Sequence, residues 1–506
     1  MRKLGVIVGV AVVGTCVMMA CSSSDDAAPP STPQAEAGGD APITPPPAEG
    51  GVDGGTADAG GLQHSGTRIK LQGVETSEGT FLYDAPFDSK LGSVCYPART
   101  EDGVLRCIPS VQASVTTFAD ASCTMPLANT TKNSCATKPT LGVRYISSAT
   151  DHCDTRYAVY TLGALVNVAK VYTMNVGVGC VQYDASADQD YYAVAAPIAA
   201  TDLVTFTDGI APLTPDLGAY VVDGDDGSRI QRDYFSDVKR GKACDPNLAG
   251  DDQVRCTPRS KATAGVFSDM ACSANAAVAA ECVVPYETFD ETTATVFSLG
   301  NCARNKVRAF PLGAKRATQD VFDSDNDGGC LGPQQGPKRD VYDVGAEIAP
   351  ATMPAMVPST AGGPRVVEGT LVSGGVVAQH DSFSRSDTML GTACHFATAA
   401  DGKLRCLPNG IDAIFFTDDK CTLPLGVQVQ DCGPVKYVLR SDLGSCGTQH
   451  VHLAGTKVDI ATPVWQQTGP NAADCLQVGG SNSIAYYTLG AEVSAATFEE
   501  GTVVTK

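Results

Sequence analysis

The sequence is poor in positive charge, in closely spaced cysteines and in helical periodicity, and each shortage argues against a class of protein. Thirty-six Lys and Arg stand against 56 Asp and Glu, giving a net charge of -20 and a pI near 4.6. Nucleic-acid binding needs clustered Lys and Arg, and so does a peripheral hold on anionic lipid, so the composition speaks against both. Beyond residue 21 no two cysteines lie closer than 10 residues, whereas zinc sites usually carry C-x2-C pairs. Few windows of helix length keep a 3.6-residue apolar period, and the alanine-rich Ala271–Ala280 is short. No G-x-S-x-G elbow, H-E-x-x-H, P-loop or G-x-G-x-x-G stands in the context its chemistry needs.

What is present is one cadence written three times. DSKLGSVC, DGVLRCIP and FADASC run from Asp88 to Cys123. DVKRGKAC, DDQVRCTP and FSDMAC run from Asp237 to Cys272, and DTMLGTAC, DGKLRCLP and FTDDKC from Asp387 to Cys421. The first cysteines of the three copies, Cys95, Cys244 and Cys394, are 149 and 150 residues apart. The chain therefore reads as three units of one kind, over 63–207, 220–357 and 366–506, joined by short spacers near Asp208–Ala219 and Pro358–Gly369. A hydrophobic content of 43% is enough for each to bury a core.

Of the 20 cysteines, two fall in the first 21 residues and the other 18 divide equally among the units. They are Cys95, Cys107, Cys123, Cys135, Cys153 and Cys180; Cys244, Cys256, Cys272, Cys282, Cys302 and Cys330; and Cys394, Cys406, Cys421, Cys432, Cys446 and Cys475. An even number per unit suits disulfides inside each unit and an oxidising compartment. The first two cysteines of every unit are 12 apart with a turn signal between them, such as Asp102-Gly103 or Asp401-Gly402. This predicts stapled hairpins Cys95–Cys107, Cys244–Cys256 and Cys394–Cys406. Nearest-neighbour pairing continues with Cys123–Cys135 and Cys153–Cys180 and their counterparts, while other connectivities stay open. Each bridge would add roughly 3 kcal/mol.

Residues 1–20 have a basic head, Arg2 and Lys3, and an apolar stretch that suits a secretory signal. The stretch ends VMMAC, which resembles a bacterial lipobox, with Met18 where Leu is usual. The resemblance implies cleavage before Cys21 and acylation of its sulfur; Cys16 and an uncleaved anchor are the alternatives. By the same analogy Ser22 favours the outer membrane. Several acyl chains hold a protein on a bilayer where one would not. Residues 21–62 carry seven acidic residues, no basic ones and no aromatics, the composition of a disordered tether. Loss of residues 1–20 removes Arg2 and Lys3 and takes the net charge from -20 to -22.

From about residue 63 the apolar residues come in short runs or alternate, as in RIKLQGV, RYAVYTLGALV, KYVLRSD and QHVHLAG. Gly, Pro, Asp and Asn break them at short intervals. This predicts an all-β fold. Each unit closes alike, with Tyr192–Ile198, Tyr342–Ile348 and Tyr487–Val493 in corresponding places. A propeller-like closed assembly, which hides sheet edges, is favoured over tandem sandwiches.

Asp120, Asp269 and Asp418 of F-x-D-x-x-C are tempting as catalytic carboxylates. Their recurrence favours a scaffold role instead, because a turn must be made in every unit and an active site only once. Arg106, Arg255 and Arg405 are expected to pair with nearby carboxylates, at little gain if exposed. Lipobox, acidic tether and cysteine cadence together resemble tandem-repeat lipoproteins of myxobacterial type, which carry an uncharacterised cysteine-rich domain. That resemblance brings no activity with it.

Residues that occur once are the better candidates for a site. Asp323, Asp325 and Asp327, followed by Gly328, space carboxylates as a calcium loop does, although position 12 holds Gln334. His450 and His452 share one strand face, without a visible third metal ligand. The expected function is a membrane-anchored binding or structural module without a catalytic site, contacting polysaccharide or an envelope or cell-surface protein. The alternatives are a glycan-directed hydrolase with carboxylates in a cleft between units and a calcium-dependent adhesion module.

Overall fold

In the computed structural model, the described residues are 61–132, 138–147, 155–175, 178–279, 290–298, 306–317, 320–324, 330–333, 340–429, 434–441, 447–458, 463–467, 475–478 and 484–506. They form strands, turns and a few 3-10 turns, with no α-helix. None of their segments is a helix long and apolar enough to cross a membrane. Cys21 and the acidic tether lie outside the described residues.

The first unit shows the pattern. Strands β1 (Ile69–Thr76), β2 (Phe81–Asp88), β3 (Ser93–Arg99) and β4 (Leu105–Pro109) make an open antiparallel sheet. Next come β5 (Ala113–Phe118), β6 (Pro126–Thr131), β7 (Leu141–Ser147), β8 (Thr155–Val166), β9 (Lys170–Asn175), β10 (Gly179–Asp184) and β11 (Gln189–Pro197). They join in the order β5-β6-β11-β8-β7, and a parallel pairing of β7 back onto β5 closes a five-stranded barrel. The β9–β10 hairpin hangs on this barrel as an arm, where Phe118 pairs with Tyr172. The runs that read as strands are strands, and Asn275–Ala279 in the alanine-rich stretch is one too. Closed barrels differ from the open blades of a propeller; the parallel β5–β7 pairing makes the difference.

The second and third units repeat this order. Their barrels close through parallel pairing of Ser260–Phe267 with Asp290–Ser298 and of Ile411–Phe416 with Tyr437–Ser441. The expected spacers are not spacers. Strand β12 (Phe206–Pro212), after the first barrel, opens the sheet of the second unit, and Val357–Gly362 opens that of the third. Gly501–Thr505, after the third barrel, returns to pair with β1 of the first. Every open sheet thus begins with a strand supplied by another unit, and the path ends where it began.

Hydrogen bonds repeat at the three joints. The Cys107 N–H donates to the Val204 carbonyl at 3.0 Å, that of Cys256 to Pro354 at 2.9 Å, and that of Cys406 to Glu499 at 2.8 Å. Between open sheets, Asp226 in a turn of the second accepts from the Arg68 and Ile69 N–H groups at 2.9 and 2.6 Å. Glu78 of the first accepts from the Arg365 N–H of the third at 3.1 Å. Gln231 of the second donates to the Ala378 carbonyl of the third at 2.6 Å. Gly66 and Gly363 sit at two of these contacts, where a Cβ would run into Ser228 or Thr80.

The core follows the same circuit. Ile69, Cys95 and Cys107 pack with Phe206 and Val222 of the next sheet; Leu217, Phe235 and Met356 pack with Ala378; Leu82 packs with Val366, Cys394 and Cys406. A fully buried Phe or Leu such as Phe235 or Leu217 contributes roughly 1.5–3 kcal/mol. All three stapled hairpins form as expected, with both sulfurs in the core.

Buried ion pairs lock the sheets. Asp88, fully buried, accepts from Arg68 Nε at 2.8 Å and Nη2 at 2.6 Å, and from the Lys90 and Leu91 N–H groups. Asp387 holds Arg365 through one oxygen, Oδ2, 3.1 Å from Nε and 3.0 Å from Nη2. Arg106, Arg255 and Arg405 pair with Asp102, Asp251 and Asp401 at 2.6–2.7 Å. These pairs form as expected, and the guanidinium groups are buried or nearly so, with Arg255 and Arg405 also donating to the Met353 and Phe498 carbonyls at a joint. The adjacent guanidinium holds Asp251 and Asp401 below the usual aspartate range.

Candidate functional site

The recurrent F-x-D-x-x-C aspartates are built into turns. Asp120 Oδ1 accepts from the Thr124 and Met125 N–H groups at 2.9 and 2.7 Å, and Oδ2 from the Thr124 hydroxyl at 2.7 Å. Asp269 does the same with Ser273 and Ala274, and Asp418 with Thr422 and Leu423. These N–H groups lie four and five residues on. The hydroxyl bonds from Thr124 and Ser273 pull the Asp120 and Asp269 carboxyls below their ordinary value. At Asp418 partial desolvation opposes, and the Thr422 bonds prevail. A carboxylate that holds three donors of its own turn is spoken for.

These turns carry a correction to the expected disulfides. Cys123 bonds Cys180, Cys272 bonds Cys330 and Cys421 bonds Cys475, at separations of 57, 58 and 54 residues. None pairs with its nearest neighbour. The turn puts Cys123, Cys272 and Cys421 at φ of +52°, +48° and +52°, which aims each sulfur at the arm rather than along the chain. In each unit the arm cysteine's sulfur also lies 3.6–3.7 Å from the carbonyl of the turn aspartate. Cys135, Cys153, Cys282, Cys302, Cys432 and Cys446 lie outside the described residues.

The residues that occur once fare differently. Asp323 lies in a two-residue strand paired with Cys330-Leu331, while Asp325 and Asp327 fall outside the described residues. His450 Nδ1 meets Glu492 Oε1 at 2.7 Å, whereas His452 Nδ1 meets the Gly490 carbonyl at 3.2 Å. The two imidazoles are thus engaged separately. Among the described residues no three His, Cys, Asp or Glu side chains converge as a metal site.

The third barrel holds a cleft of about 1050 Å³ that sequence reasoning missed. It opens where strand Ile411–Phe416 forks. The first half of that strand pairs with Tyr437–Ser441, through Ile411 and Asp412, and the second half with the arm strand Val464–Gln467, through Phe415 and Phe416. Asp412, Thr422, Arg440, Ser441, Gln466 and Gln467 line it with polar groups, over Ile414, Phe416, Pro424 and Leu439. Partial burial pushes the Asp412 carboxyl up, against the pull of His395. Cys421 reaches the wall, but its sulfur is bonded to Cys475 and supplies no thiolate.

The same place in the first barrel carries different residues. The equivalent pairing sets Ser114 opposite Val143, so Arg144 and Tyr145 stand where Arg440 and Ser441 do. Arg144 lies over the Phe118 ring, 5.8 Å from its centre, and Tyr145 packs edge-on against Tyr157 at 4.8 Å. Tyr145 stays exposed, on the β8 side of its strand, where the third barrel has the smaller Ser441. The meeting of Asp412 with Gln466 and Gln467 left no local signal, because it depends on pairings with two distant strands.

Compared with known proteins, residues 51–310 match the model of a family of unknown function, DUF7481. That is just over half of the 506 residues. No curated protein and no solved structure matches the chain.

Proposed function

The chain belongs to DUF7481, a family of unknown function, and we propose that it is a non-catalytic binding or structural module, which the lipobox-like VMMAC would hold at the bacterial cell envelope by lipid on Cys21. One observation carries this reading: the recurring carboxylates are consumed by the scaffold. Asp120, Asp269 and Asp418 close turns, Asp102, Asp251 and Asp401 hold arginines, and Asp88 and Asp387 are buried in ion pairs.

Glycoside hydrolysis through carboxylates needs two of them roughly 5–10 Å apart at a cleft. The cleft in the third barrel is lined by one, Asp412. Acidic groups of different units do approach each other at Asp84 and Glu368, but both contact Arg385, at 2.7 and 3.3 Å, and Glu368 and Arg385 are buried. Asp84 is exposed, but Arg385 holds both carboxylates as ion-pair partners. The six described disulfides all lie within units, as suits display outside the reducing cytoplasm.

Expression of the full chain and its Cys21→Ala variant in a bacterial host, with membrane fractionation and fatty-acid labelling, tests the anchor. Reducing-end release from a polysaccharide panel tests the absence of turnover. The reading expects label and membrane association that Cys21→Ala removes, with no release. Unlabelled soluble protein contradicts the anchor, and release that Asp412→Asn abolishes contradicts the non-catalytic role.

A further inference from the structure

We infer that the forked cleft of the third barrel is a binding site for a neutral glycan, a short stretch of uncharged polysaccharide. The inference rests on the binding-module reading and gives that module its ligand class. Four observations carry it.

The polar rim is amphoteric. Gln466, Gln467 and Ser441 line the cleft and can each both donate and accept, while Thr422, whose hydroxyl donates to Asp418, can accept. A sugar hydroxyl also does both, so vicinal hydroxyls can be met by adjacent amides and hydroxyls without burying an unmatched group. The floor is apolar: Ile414, Phe416 and Pro424 offer the hydrocarbon surface that the C–H face of a pyranose covers. The charges balance, with one aspartate and one arginine among the lining residues. A polyanionic chain would in addition meet a protein of net charge -20. The space is right as well: about 1050 Å³ exceeds one sugar ring and suits a few in a row.

Position adds to the case. The wall is half barrel and half arm, and the Cys421–Cys475 bond ties the arm to the turn that supplies Thr422. The site is therefore preformed, and a stiff ligand loses less on binding to it. The first barrel has Arg144 and Tyr145 at the positions of Arg440 and Ser441.

The protein contains a single tryptophan, Trp465, directly opposite Phe416 in the pairing at the fork. It reports on the cleft without a label. We would titrate the full chain, purified in oxidised form, with neutral hexasaccharides of α-glucan, β-glucan and chitin type and with hexagalacturonate. Trp465 emission and calorimetry are read in parallel, and reducing ends are assayed throughout. The expected result is saturable binding of at least one neutral hexasaccharide with a change in emission. Gln466→Ala and Gln467→Ala should weaken it at least tenfold while leaving the thermal midpoint unchanged, and Ser441→Tyr should abolish it by filling the cleft. Three outcomes overturn the inference: no neutral hexasaccharide binds, binding survives all three substitutions, or only the galacturonate binds. The last still leaves a binding module. Growth of reducing ends would instead overturn the non-catalytic reading itself.

Discussion

Arg240 stands 3.7 Å from Asp237 in the second unit, doing from three residues along the chain what Arg68 does for Asp88 and Arg365 for Asp387 from a neighbouring strand. The exchange is complete. Where the sister units have Arg68 and Arg365, the second has Asp216, whose carbonyl accepts from the Val238 N–H as theirs do from Ser89 and Thr388. Where the second unit has Arg240, the sisters have Leu91 and Leu390, which pack against barrel residues. Arg240 also reaches Thr352, as Arg68 reaches the Asp202 carbonyl and Arg365 that of Thr497. The substitute is imperfect: Asp237 Oδ2 and Arg240 Nη1 are buried without a hydrogen bond.

Restoring the sister arrangement should therefore stabilise the protein. Asp216→Arg with Arg240→Leu would give Asp237 the bidentate partner of Asp88, a gain of about 1.5–3 kcal/mol for hydrogen bonds to a buried charge. Chemical denaturation of parent and double variant measures it; an unchanged or lower midpoint contradicts the equivalence.

The same site sets a pH dependence. Burial raises the Asp237 carboxyl above its ordinary 3.8, Arg240 opposes and Asp216 reinforces. A raised carboxyl binds its proton more tightly folded than unfolded, so it favours folding when protonated and loses that contribution as pH rises through the folded-state value. The turn aspartates have the opposite sign: Asp120 and Asp269 favour folding above 3.8 and lose it as pH falls. Asp237→Asn should remove the first effect alone. Thermal midpoints of parent and variant from pH 7 down to 4 should converge on acidification, and parallel curves would count against the assignment.

Arg385 and Glu368 make a buried pair where the second unit has Phe235 and Ala219. Glu368→Ala alone removes one of the two carboxylates on a buried guanidinium, leaving Asp84, and should cost about 1.5–3 kcal/mol for the lost hydrogen bonds to a charge. Glu368→Ala with Arg385→Phe imports the sister residues and should recover most of that loss. Denaturation midpoints decide, and equal damage in both variants would deny that the positions correspond.

How much of this was legible beforehand follows from how local each signal is. The stapled hairpin Cys95–Cys107 was readable because a turn signal sits between two cysteines 12 apart. Cys123–Cys180 was not, because it depends on the arm returning 57 residues later to a turn that points its cysteine sideways. The strand at Ile69–Thr76 was plain from its residues, but its partner Gly501–Thr505 lies at the far end of the sequence. The turn role of Asp120 followed from recurrence alone. The cleft at Asp412 depends on one strand pairing with two others, which no single stretch encodes.

Peptide mapping without reduction should find Cys123 joined to Cys180, Cys272 to Cys330 and Cys421 to Cys475. Removing the first as Cys123→Ser with Cys180→Ser opens a 57-residue loop and should cost about 4 kcal/mol. Finding Cys123 joined to Cys135 would refute the arm geometry.

The most direct test of the closed circuit of units is a circular permutant. The Lys506 N–H donates to the Leu71 carbonyl at 2.9 Å, and Lys506 lies against Ser65. A short linker from residue 506 to residue 62, with new ends between Thr214 and Pro215, would make the Gly501–Thr505 joint covalent and open the joint between β12 and Leu217–Gly224 instead. If the joints are equivalent, the permutant keeps all six described disulfides and unfolds in one transition at a midpoint near that of the parent chain with residues 1–61 removed. A permutant that unfolds in separate steps, or fails to form Cys244–Cys256, contradicts the circuit.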